Sequence, residues 1–206
     1  IAVMIPATAT QPAPTETPFP TATPTPAPYS AQIPGSACDP LGDWTPSQSG
    51  SALCSSQGLN VVEPASASGI FEEQFNQVAF PSDYTVSVSV SNIANGCAGI
   101  EVLTDNYKGY AVYVCIDNIW TITRYDATGH PSVVDYGVLS DNGNPYNLEV
   151  TVSGSTLTFV EGVMQLSSIT ILPSYQQTSF IGLVVSNRTN YDASVTFSNY
   201  AYTPNA

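Results

Sequence analysis

From Gly35 onward the chain is written in short runs where apolar and polar residues alternate, separated by turn residues. Tyr84-Thr85-Val86-Ser87-Val88-Ser89-Val90 alternates strictly, the mark of a β-strand buried on one face. The same reading predicts strands over 99–104, 110–116, 120–125, 148–152, 156–160, 180–185 and 193–200. Between them stand Asp-Asn, Thr-Gly, Asp-Asn-Gly-Asn-Pro, Ser-Gly-Ser and Asn-Arg-Thr-Asn, which are turn chemistry. Only Phe71-Glu72-Glu73-Gln74-Phe75 has a helical spacing, enough for one turn. Short strands at this interval with no long helix predict an all-β, two-sheet antiparallel jelly-roll sandwich over 35–206.

Residues 1–34 differ from all that follows. They hold nine of the seventeen prolines and seven threonines, and their only charge is Glu16. Such a segment cannot form a helix, and polyproline II is its natural conformation. It is expected to be an extended arm or linker, a stalk open to O-glycosylation. Yet Ile1-Ala2-Val3-Met4-Ile5 is an apolar, β-prone run at its head, and a solvated stalk gains nothing from such a plug. In polyproline II the stretch 6–33 would span roughly 85 Å, far enough to cross a neighbouring domain.

Charge narrows the partners. Three basic residues (Lys108, Arg124 and Arg188) stand against sixteen acidic ones, for a net charge of −13. Nucleic acid and anionic membranes are thereby excluded, because both are recognised by clustered Lys and Arg. No apolar run reaches the length of a membrane span. The chain begins at Ile1, so removal of a signal peptide is expected. Four cysteines without a CxxC spacing or a nearby histidine indicate two disulfides in an oxidising, extracellular compartment rather than a zinc site. With the turn around Asp105-Asn106-Tyr107 centred on Asn106, Cys97 and Cys115 fall opposite each other on antiparallel strands. This favours Cys97–Cys115 with Cys38–Cys54, the latter closing a loop around Trp44.

Several of these segments form one recognisable series. Tyr84-Thr-Val-Ser-Val-Ser-Val, Gly99-Ile-Glu-Val-Leu, Tyr110-Ala-Val-Tyr-Val and Trp120-Thr-Ile are followed by Asn147-Leu-Glu-Val-Thr-Val-Ser-Gly, Leu157-Thr-Phe, Ile181-Gly-Leu-Val-Val and Val195-Thr-Phe-Ser-Asn-Tyr. Over about 60–204 the series resembles the concanavalin A-like lectin/glucanase superfamily, in its laminin-G-like and pentraxin-like form. The resemblance implies two stacked antiparallel sheets, one of them concave. It leaves activity open, since lectins, glycoside hydrolases, adhesion modules and coat proteins share the fold.

The chemistry of an enzyme is not apparent. Glycoside hydrolysis needs two carboxyl groups flanking one bond. Glu72 and Glu73 are adjacent, so on a strand they point to opposite faces, and Glu101 and Glu149 are far apart in sequence. His130, the single histidine, lies in a Thr-Gly-His-Pro turn with no Gly-x-Ser-x-Gly elbow to serve. No catalytic residue is expected. Glycan contact has better candidates in Trp44, Tyr107, Trp120 and Tyr146, with Tyr110 and Tyr113 beside them. Aromatic rings of this kind serve equally well in a core or a subunit contact. Weak calcium candidates are Asp105 and Asp141, in loops that are equally good turns; no other cofactor is expected.

Two functions follow from the residues. The first is the structural subunit of an extracellular filament or surface fibre, a homopolymer in which Ile1, Val3 and Ile5 of one copy anchor the arm in or across the next. The alternative is a secreted or surface-tethered glycan-binding module on a Pro/Thr stalk.

Overall fold

The computed structural model describes residues 44–45, 51–65, 70–75, 82–104, 108–140, 144–176, 178 and 180–205, with backbone only at 44–45, 70–75 and Leu103. Two seven-stranded antiparallel sheets stack face to face. One contains β1 (Trp44–Thr45), β4 (Ile70–Phe75), β6 (Gly96–Leu103), β7 (Gly109–Cys115), β8 (Ile119–Tyr125), β9 (Pro131–Val138) and β13 (Phe180–Asn187), in the order β1-β4-β13-β6-β7-β8-β9. The other contains β2 (Ser51–Ser55), β3 (Gly58–Glu63), β5 (Tyr84–Ala94), β10 (Tyr146–Ser153), β11 (Thr156–Glu161), β12 (Met164–Thr170) and β14 (Ala193–Pro204), in the order β12-β11-β10-β5-β14-β3-β2. We call them the first and second sheets. The architecture is the expected all-β sandwich, and among the described residues the only helical piece is a 3-10 turn at Pro173–Tyr175.

Alternation builds the core. Tyr84, Val86, Val88 and Val90 of β5 and Leu148, Val150 and Val152 of β10 meet Ile100, Val112, Ile122, Ile181 and Leu183 from the first sheet. Burying such aliphatic side chains stabilises a fold by about 1.5–3 kcal/mol each. The intervening positions on the second sheet point outward as a ladder of hydroxyls and amides, with Thr85 to Thr151 at 3.0 Å, Ser89 to Asn147 at 2.8 Å and Thr196 to Asn60 at 2.8 Å.

The eight predicted strands correspond to β5, β6, β7, β8, β10, β11, β13 and β14, those at 99–104 and 110–116 overrunning β6 and β7 by one residue each. The helical turn expected at 71–75 is instead strand β4, paired with β13 on one side and β1 on the other. Its four-residue Phe71–Phe75 spacing fits one face of a strand as well as one face of a helix, and the unpaired edge of β13 decides between them. Strands β1, β2, β3, β9 and β12 are the other strands the pattern did not announce.

The β6–β7 hairpin has the register drawn from its symmetry. Cys97 pairs with Cys115 and Gly99 with Tyr113, and the cysteines are bridged across a Cα separation of 3.9 Å. Cys54 is disulfide-bonded too; its expected partner Cys38 lies outside the described residues. Gly99 is obligatory in this hairpin, since a Cβ there would stand 1.7 Å from the carbonyl oxygen of Val112.

Candidate functional site

Several expected residues prove to be structural. Trp120 is 7% exposed and sits in the core, its ring edge-on to Phe159 at 6.1 Å. Tyr146, also 7% exposed, donates its hydroxyl hydrogen bond to Asn118 Oδ1 at 2.7 Å. Tyr110 is buried, and its hydroxyl accepts a bond from the amide of Leu172 at 3.3 Å. None of the three has a ring face left for a sugar, because inward-facing positions of β8, β10 and β7 were filled with aromatic bulk. Trp44 lies on the outermost strand of the first sheet, opposite Phe75, with its side chain outside the described set. Tyr107, Asp105, Asp141 and the arm residues Ile1, Val3 and Ile5 lie outside the described residues too, so the described residues carry nothing for arm-driven assembly or for calcium. Among the described residues no group of three His, Cys, Asp or Glu comes together to hold a metal.

The carboxylates separate as well. Glu101, 2% exposed, belongs to β6 and faces away from the interior of the first sheet, since its neighbours Ile100 and Val102 face in. Glu149 alternates with Leu148 and Val150 on β10 and so faces outward from the second sheet. With sheets about 10 Å apart, the two occupy opposite surfaces of the sandwich and cannot flank one glycosidic bond at the roughly 5–9.5 Å that hydrolysis uses. Glu72 and Glu73 stand opposite Val184 and Leu183, which belong to different faces. His130 is in the β8–β9 turn, its Nδ1 2.6 Å from Thr128 Oγ1. That turn is organised by Asp126, whose carboxylate accepts bonds from the Thr128 hydroxyl at 2.7 Å and from the amides of Thr128 and His130 at 2.8 and 3.1 Å. The Thr128 hydroxyl bond, with the two amide bonds behind it, lowers the Asp126 pKa to about 2.

The outward face of the first sheet concentrates the remaining chemistry. Cys97, Ala111, Tyr113, Cys115, Tyr125 and Val184 form a small buried cluster there, separate from the main core. The hydroxyls of Tyr113 and Tyr125 are 2.7 Å apart and share a hydrogen bond. Register carries the row outward across the sheet, with Tyr113 opposite Thr121 and Thr121 opposite Tyr136. Tyr136, on the edge strand β9, is 72% exposed, and Val133 and Val138 on the same face are exposed with it. Thr123 is opposite Val133. The result is a strip of sheet surface with an aromatic ring in solvent, apolar neighbours on both sides, and threonine and tyrosine hydroxyls behind. Sequence reading missed Tyr136 because β9 itself was missed. A signal was present: Pro131 opens a Val-Val-Asp-Tyr-Gly-Val run, and proline at the head of a β-prone run suits an edge strand.

The sequence matches no family model and no curated protein. The fold does have relatives among solved structures. The carbohydrate-binding module CBM66 from Bacillus subtilis superposes with a TM-score of 0.62 at 16% identity, covering 78% of this chain and 95% of that one. Alginate lyase A1-II′, of polysaccharide lyase family 7, superposes at 0.55 with 14% identity, covering 85% and 94%. A sialidase matches at 0.56 and 11% identity over 86% of this chain, which is 18% of its own length. The fold is thus the two-sheet β jelly-roll sandwich that the strand series implies, shared by a binding module and by lyases. No helix among the described residues is long and apolar enough to cross a membrane, and the Cys97–Cys115 bridge belongs to an oxidising compartment.

Proposed function

We propose that this chain is an extracellular, non-catalytic glycan-binding module, carried on its Pro/Thr-rich segment as a stalk. The observation that supports the reading best is Tyr136, a tyrosine ring held in solvent at the end of the Tyr113–Thr121–Tyr136 row. A ring in that position offers an apolar face to the C–H face of a sugar. The nearby hydroxyls of Thr121 and Tyr136 supply donors and acceptors for sugar hydroxyls. Val133 and Val138 extend the apolar surface along β9, and an exposed apolar patch on a protein otherwise rich in outward Ser, Thr and Asn is characteristic of a contact surface. The likeness to a free-standing carbohydrate-binding module over 95% of that module's length is consistent with this use of the sandwich.

Retention on insoluble polysaccharides tests the reading. The native chain is expected to sediment with at least one of a panel of plant, fungal and bacterial polysaccharides, and Tyr136→Ala to stay in the supernatant. Sedimentation unaffected by Tyr136→Ala would remove the β9 strip as the site.

A further inference from the structure

We infer that the glycan recognised at the β9 strip is uncharged: a neutral polysaccharide, not a polyuronate or a sialylated chain. The inference rests on the glycan-binding reading and adds the chemical class of its ligand. It comes from where the few cations of the chain are placed.

Binding proteins recognise sugar carboxylates with Arg forks or Lys ammonium groups, because the anion must exchange water for a charge-assisted donor. This chain has three such residues in all, and none occupies an outward position of β8 or β9. The Lys108 ammonium lies over the ring of Tyr175 at 4.7 Å from its centroid, and that ring in turn packs edge-on against the core residue Tyr110. Arg124 alternates with the outward Tyr125 and shares the inward side of β8 with Trp120 and Ile122. Arg188, in the loop after β13, is paired with Asp117, its Nη1 3.3 and 3.4 Å from the two carboxylate oxygens.

The outward positions of β6 to β9 include Cys97, Gly99 and Glu101 on β6, Ala111, Tyr113 and Cys115 on β7, and uncharged residues throughout β8 and β9, Thr121, Thr123, Val133 and Tyr136 among them. The one ionisable carboxyl among them, Glu101, is 2% exposed. With the chain at −13 overall, a polyanion would approach a molecule of its own sign. Tyrosine, threonine and valine are sufficient for hydroxyl-bearing, uncharged rings, whose recognition requires stacking and neutral hydrogen bonds alone.

Affinity electrophoresis of the full chain in native gels decides the matter. The soluble probes are mixed-linkage glucan, arabinoxylan and galactomannan as neutral polymers, alginate, polygalacturonate and polysialic acid as anionic ones, and glycol chitosan as a cationic one. Retardation is expected with at least one neutral polymer and with no polyanion, unchanged between low and high salt. Tyr136→Ala is expected to weaken it about ten-fold or more, equivalent to about 1.4 kcal/mol or more, and Tyr136→Phe, which keeps the ring and loses only the hydroxyl, to weaken it less. Retardation by alginate, polygalacturonate or polysialic acid would overturn the neutral assignment while leaving a glycan-binding module in place. So would retardation by glycol chitosan alone, abolished by salt. Retardation by none of the polymers would sink the glycan reading itself, and the ligand class with it.

Discussion

The indole of Trp120 lies directly across Gly137 of the neighbouring edge strand. The two are register partners in β8 and β9, and a Cβ built on Gly137 would come within 2.7 Å of the ring's Cε2 and Nε1. The glycine therefore makes the space in which an inward tryptophan can lie flat against the sheet edge, with Phe159 of the opposite sheet closing over it.

Two substitutions probe that relationship. Trp120→Ala is expected to destabilise the domain by about 3–5 kcal/mol, the usual cost of emptying a core aromatic site. Gly137→Ala is expected to cost about 1–3 kcal/mol by overpacking. Urea unfolding followed by tryptophan fluorescence or circular dichroism measures both. A Trp120→Ala protein of native stability that had lost glycan retention would contradict the core assignment.

The Cys97–Cys115 bridge joins residues eighteen apart. Closing a loop of that size constrains the unfolded chain by about 3 kcal/mol in the chain-entropy account. The double variant Cys97→Ala/Cys115→Ala should lose stability of that order, and glycan retention should survive at temperatures where it remains folded. Comparison of urea midpoints for the variant and the native protein checks this.

Asp135 on β9 points inward and its carboxylate accepts a short hydrogen bond from the hydroxyl of Ser167 on β12. The two strands are the edges of different sheets on the same side of the sandwich, so this bond ties the sheets together at their open flank. Ser167→Ala is expected to cost about 1.5–3 kcal/mol, the range for a hydrogen bond to a charged group. It should also speed amide exchange along β9 before the rest of the sheet. Exchange that accelerates uniformly, or not at all, would show that the bond does not hold the flank.

Asp126 makes a pH prediction. Its folded pKa, about 2, lies below the ordinary 3.8 because the Thr128 hydroxyl, then the Thr128 and His130 amides, bond the charged form. A depressed carboxyl pKa contributes stability that is full above the ordinary value and is lost as pH falls from about 4 through about 2. Titration of the Asp126 carboxyl followed by NMR should give a midpoint near 2, and Thr128→Val should raise it. A midpoint at the ordinary carboxylate value would mean that the turn does not hold in solution.

Much of the architecture was legible in local pattern. Period-two alternation marks β5 and β10 without knowledge of their partners, and the symmetry of one hairpin places Cys97 against Cys115. Trp120 was legible also, because it shares its parity with Ile122 while Thr121 and Thr123 take the other face. Glycan chemistry attributed to it went against that alternation. What the chain alone could not tell was set by contacts distant in sequence. Strand β4 follows from the free edge of β13, more than one hundred residues away. The β9 strip follows from a bulge: the register shifts between Ile122 and Thr123, so Val133 and Tyr136, three residues apart, come to the same face. Simple alternation would put them on opposite faces, and one unpaired residue reverses the assignment of everything beyond it. Sequence determined that this protein is a disulfide-bonded β-sandwich with few cations. Tertiary pairing decided which tyrosine stands in solvent, because strand partners and bulges are properties of two chain segments together and leave no periodic trace in either one.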